Sequence, residues 1–179
     1  TYISRTLIKF DHIPLLNLIN TAGLDKDGIK FYLNLYDAGS ENLAVEQELK
    51  GYPVNQSWTP GTGYFSNNPI TSDGSSWMWT DNNDTRTQWT EVSQSGGSWY
   101  SGSGYEASQS FNYDTTDVRM DVTDIVFKWI NGNITNNGFI LKRSGSIGNT
   151  DTNTPEGNNQ RYGNLKWFSR ETHTVWQPK

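Results

Sequence analysis

Apolar residues alternate with polar ones in short runs along most of this 179-residue chain, and clusters of turn formers separate the runs. Alternation of period two buries one face of a strand, so such a chain is committed to packing sheets against each other. In one place the period changes. Within "DVTDIVFKWING", residues 121–132, apolar side chains fall at Val122, Ile125, Val126, Trp129 and Ile130. That is the i, i+3, i+4, i+7, i+8 spacing of one helix face. Asp121 or Thr123 can cap its start, and Asn131-Gly132 supplies a left-handed stop. The pattern predicts an all-β, two-layer antiparallel sandwich with one short helix, at about 121–131, capping an end that two sheets alone leave wet.

The remaining segments fit this frame. "YISRTLIKFD" reads as a buried strand around Leu7, Ile8 and Phe10, and "LLNLI" after Pro14 as a helical turn. "IKFYLNLYD" is the clearest strand, with Phe31, Leu33 and Leu35 on one side and Tyr32, Asn34 and Tyr36 on the other. "NLAVEQELKGYPVNQSW" and "SQSFNYDTTDVRMDV" are extended, "NNGFILKRSG" is a strand behind an Asn-Gly turn, and "NLKWFSRE" is a closing strand. No internal repeat or boundary divides the chain, which reads as a single domain over 1–179. It begins "TYIS" and ends "VWQPK", and reads as a piece of something longer.

Residues at about 59–110 form a long Gly/Ser-rich excursion that nevertheless carries Trp77, Trp79, Trp89 and Trp99. A free linker would lack such rings. Only 33% of residues are hydrophobic but 13% are aromatic, so large rings must supply much of the buried mass. Trp58 and Trp129 read as core. The rings Trp77, Trp79, Trp89, Trp99, Tyr100 and Tyr105 admit two uses: stacking on sugar faces, or packing the excursion onto the sandwich or a neighbouring subunit.

Charge and composition exclude several classes. A net charge of -5 with scattered basic residues does not make a phosphate-binding surface, so no nucleic-acid partner is expected. No apolar run suits membrane insertion. The absence of cysteine removes disulfides, thiolate metal sites and Cys nucleophiles together. Neither histidine, His12 or His173, has a nucleophile-elbow serine nearby. Glu46, Glu48, Glu91, Glu106, Glu156 and Glu171 supply carboxylates but no pairing that spacing can show. No cofactor is expected and the chain reads as a non-enzyme. A structural Ca2+ is the one metal candidate, from the oxygen-rich runs containing Asp81, Asp84, Asp151, Asn153 and Glu156.

Six segments in order carry a resemblance: "SRTLIKFD" (4–11), "YPVNQSWTPGTG" (52–63), "DGSSW" (73–77), "DVTDIVFKWING" (121–132), "NNGFILK" (136–142) and "KWFSRE" (166–171). Together they resemble DNRLRE-type modules, related to carbohydrate-binding modules of bacterial and archaeal surface proteins. The resemblance implies a jelly-roll-like sandwich in which the "DVT…W" segment is the lone helix. "FYLNLYDA", "ASQSFNY" and "FSRETHTVWQPK" are further similar to virion structural proteins of large tailed phages of aquatic bacteria. That implies a virion localisation, with other virion proteins or further copies as partners and a host-surface polysaccharide as a further one. The alternative is a carbohydrate-binding module of a virion, secreted or cell-surface protein. The family pattern has a strand before "SR" and another after the final Pro-Lys. Both are missing here, which implies truncation or strands supplied by a neighbour.

Overall fold

A computed structural model describes residues 3–23, 26–43, 47–63, 71–83, 86–90, 96–111, 116–144, 156 and 163–179. Eight strands and two α-helices follow in the order β1 (Thr6–Ile8), α1 (Ile13–Ala22), β2 (Tyr32–Leu35), β3 (Gln47–Pro53), β4 (Trp79–Asp81), β5 (Thr87–Gln88), β6 (Ala107–Phe111), β7 (Val118–Asp121), α2 (Thr123–Ile130) and β8 (Phe139–Arg143). A 3-10 turn at Lys26–Gly28 lies between α1 and β2.

One sheet has the order β1-β8-β3-β6, and β2 and β7 form a second; every pairing is antiparallel. Period-two alternation divides each strand between two faces. Leu33 and Leu35 of β2 and Val118 and Met120 of β7 meet Leu49, Ala107, Phe111, Phe139 and Leu141 of the larger sheet in one core cluster. The two layers approach closely at Gly51, where an added Cβ would lie 3.0 Å from the Met120 sulfur. The result is the antiparallel all-β sandwich expected from sequence. The described strands do not by themselves trace an eight-stranded jelly roll.

Helix α2 closes one end of this core. Its buried face is Ile125, Val126, Trp129 and Ile130, and Trp129 is 5% exposed. The Trp129 ring meets Phe139 edge-on at 4.7 Å, and Phe127 meets Phe31 at 5.4 Å. Both partners lie at the sandwich end where Tyr32 pairs with Asp121. The start of α2 is tied down by two contacts: Asp121 accepts the Thr123 N–H, and the Thr123 hydroxyl oxygen accepts the Phe31 N–H. Gly132, at φ +71°, turns the chain out of the helix.

Three local expectations are corrected. The described residues hold two α-helices rather than one, because "LLNLI" belongs to a ten-residue helix. Asp11 accepts the Ile13 N–H, Pro14 sits in the first turn, and Gly23 at φ +60° ends the helix. Only Ile19 of α1 is buried, with Leu15 and Leu16 packed beside the core. Strand β1 covers only three residues. The "NLKWFSRE" segment is not a regular strand; it touches the segment after β2 through bridges Asp37–Trp167 and Glu41–Asn164.

The outer face of the larger sheet is also covered. Tyr52 and Val54 of β3 and its extension, Ile140 of β8, and Trp89 form a second buried cluster, with Leu7, Trp58 and Trp99 packed against it. The described part of the excursion, including the β4-β5 hairpin, is therefore a third layer carried by aromatic rings.

Candidate functional site

Alternation along β1, β8 and β3 puts Arg5, Lys142 and Lys50 on this outer face. Lys50 stands directly opposite Lys142, and the β1-β8 register, which pairs Thr6 with Leu141, sets Arg5 opposite Lys142 if continued by one residue. Like charges opposed across a sheet repel, and two carboxylates resolve the row. Glu156 accepts two hydrogen bonds of 3.0 Å from the Arg5 guanidinium and lies 3.0 Å from the Lys142 ammonium. All three side chains are buried, at 5% exposed or less. Glu106 takes the Lys50 ammonium at 2.5 Å and the Tyr52 hydroxyl at 3.0 Å.

Two excursion rings complete the packing. The Arg5 guanidinium lies 4.9 Å from the ring centres of both Trp77 and Trp99, in cation–π range. Arg5 also donates to the Gly96 carbonyl at 3.0 Å. Burial depresses the Lys142 pKa, and Glu156 opposes the shift. Burial, together with the hydrogen bond to Glu106, pushes the Tyr52 phenol well up. This row of charges is a structural lock between sheet and excursion; its groups are spent on each other.

The six candidate aromatic residues each make contacts within the chain. Trp89 is 2% exposed, and its indole N–H donates to the Ser76 carbonyl. Trp77 and Trp99 flank Arg5. Arg86 lies over the half-buried Trp79. Tyr100 and Tyr105 stack at 5.5 Å, with the Lys128 ammonium 4.4 Å from the Tyr105 ring. The structure does not gather these rings into one exposed platform.

The metal candidates separate likewise. Asp84, Asp151 and Asn153 lie outside the described residues. Asp81 accepts the Thr59 hydroxyl and the Asn83 N–H, as a turn former does. Glu156 is held by Arg5 and Lys142, a cationic setting opposed to a metal ion. Among the described residues no group of three His, Asp or Glu side chains could hold a metal. His12 begins α1, with its Nδ1 3.1 Å from the Asn136 amide nitrogen; His173 is exposed in the C-terminal segment.

A groove lies elsewhere, and sequence reading missed it. The lateral side of the sandwich between β1 and the C-terminal segment is open, forming a groove of about 1450 Å³. Its floor is β1 with Ile8, Phe10 and Leu35; one wall is Trp58, Pro60 and Trp77, the other Leu165, Trp167 and Phe168. The far wall is fixed to β2: Lys179 exchanges hydrogen bonds of 2.7 and 3.0 Å with Asn34, and Phe168 donates to the Tyr36 carbonyl at 3.1 Å. A second, smaller hollow of about 200 Å³ is lined by Tyr36, Asp37, Asp117, Phe168 and Trp176.

No helix among the described residues is long and apolar enough to cross a membrane. No protein-family model, curated protein or solved structure matches the chain.

Proposed function

We propose that the chain is a non-enzymatic structural module, of jelly-roll type, in a phage virion, and that it works by protein–protein assembly. One observation carries the reading: at one side of the sandwich Ile8, Phe10, Leu165 and Trp167, packed against the core but only partly buried, line a groove. At about 1450 Å³ it exceeds the roughly 300–1,000 Å³ of small-ligand sites. A polypeptide surface is the occupant of matching size and polarity. The inward-turned excursion supports a scaffold role, since its rings stabilise the module itself. Cross-linking through Lys9, exposed at the groove, tests the reading in assembled particles. Intermolecular links from Lys9 support it; links confined within one chain count against it.

A second reading, attachment to polysaccharide by a virion, secreted or cell-surface protein, is favoured by the smaller hollow. There Trp176 is 48% exposed and lies 5.0 Å from Tyr36, beside the carboxylates of Asp37 and Asp117. A ring face with nearby acceptors is the chemistry that holds a sugar. Saturable quenching of tryptophan fluorescence by one glycan class, lost in Trp176→Ala, would establish it.

A further inference from the structure

We infer that the β1 groove accepts a single extended strand from another polypeptide, added to the free edge of β1. The inference rests on the assembly reading and names its partner. Among the described residues β1 is the terminal strand of its sheet, and β8 is its one neighbour there. The Ile8 carbonyl faces β8, since a Cβ placed on Gly138 would lie 2.3 Å from that oxygen. Main-chain groups alternate sides along a strand, so the N–H and C=O of Leu7 face the groove. Neither bonds to a described residue. The outer edges of β6 and β2 are occupied: Gln109 of β6 bonds to the Asp117 carbonyl and the Arg119 N–H at β7, and Lys179 and Phe168 bond to β2 and the residue after it.

The shape of the groove selects the occupant. The edge of β1 is recessed between the Trp58–Pro60 wall and the Leu165–Phe168 wall. A lone extended strand can lie along that edge between the two walls. Successive side chains of an added strand would point alternately at Leu35 and Leu165 and at Trp58 and Trp77, so apolar residues suit both directions. At the mouth Lys9 is exposed, and its ammonium forms no ion pair among the described residues. An acidic residue in the incoming strand complements it. The partner is therefore an extended arm, rich in β-branched residues and carrying one carboxylate.

Strand complementation within the full chain tests this. Gln177 and Pro178 line the groove, so a Gly/Ser linker appended after Lys179 can deliver a Thr-Val-Asp-Val-Thr-Val strand. Exchange of the Leu7 amide should slow about tenfold relative to a linker-only tail, with a rise in thermal midpoint. A proline in the middle of the added strand should abolish both effects. Unchanged Leu7 exchange with the intact strand, equal effects with the proline strand, or a Leu7 amide already protected in the unmodified chain would each overturn the inference. Self-association with no complementation would defeat this inference alone. Complementation by a chain that never enters an assembly would defeat the assembly reading instead.

Discussion

Lys50 and Lys142 face each other directly across β3 and β8, and each is neutralised by a glutamate from a different part of the chain, Glu106 for one and Glu156 for the other. With Arg5 beyond Lys142, the outer face of the sheet carries a cationic row that the fold must satisfy internally. The rings of Trp77 and Trp99 then cover its Arg5–Lys142 part.

Glu156→Gln leaves Arg5 and Lys142 buried without a full counter-charge. Breaking one partner of a buried ion pair costs about 3–5 kcal/mol, and urea denaturation should show a loss of that order. Replacing Arg5, Lys142 and Glu156 together by methionine should restore most of it, because the burial penalty of three charges then disappears. A triple variant as unstable as Glu156→Gln would contradict this account.

Trp129 anchors α2 to the core against Phe139. Trp129→Ala should cost about 3–5 kcal/mol, the range for deleting a large buried ring. The indole N–H bonds to no described residue, so Trp129→Phe, which keeps a ring and drops that N–H, should cost clearly less. Equilibrium unfolding of both variants decides the order.

Gly138 has φ +84°, and a Cβ there would strike the Ile8 carbonyl and Lys9 backbone. Gly138→Ala should therefore cost more than about 1 kcal/mol and loosen β1 from β8. Amide exchange at Ile8 should quicken more than exchange at Leu33.

Acid should destabilise the protein. The hydrogen bond from Lys50 holds Glu106 below its ordinary value of 4.5, and the hydrogen bond from Thr123 holds Asp121 below 3.8. Carboxylates with depressed folded-state values contribute stability that is complete above their unfolded-state values and is lost as the pH falls through the folded ones. Unfolding free energy should be flat near pH 6 and fall below about pH 4.5. At the other extreme the Tyr52 phenol, raised from 10.0, keeps its proton in the fold, so stability declines as the pH rises past 10. In Tyr52→Phe that alkaline decline should weaken.

The sandwich was legible in sequence because alternation at Leu33, Leu35, Val118 and Met120 needs no knowledge of partners, and α2 because its five apolar residues lie on one stripe. Helix α1 was hard to read for the opposite reason. Ile13 and Leu18 are exposed while Leu15, Leu16 and Ile19 turn inward, so hydrophobicity along the segment has no single face. The lock at Glu156 was invisible because it joins residues 151 positions apart; locally, Glu156 looks like any acid in a polar loop. The open groove depends on which strand ends a sheet, a property of topology that no run of residues encodes.

Sedimentation velocity of the full chain over a wide concentration range tests the central claim most directly. An assembly module with an open apolar side should sediment as species heavier than the 20.3 kDa protomer, increasingly so with concentration. A single 20.3 kDa species at every concentration, together with saturable binding of one glycan class, would contradict the account.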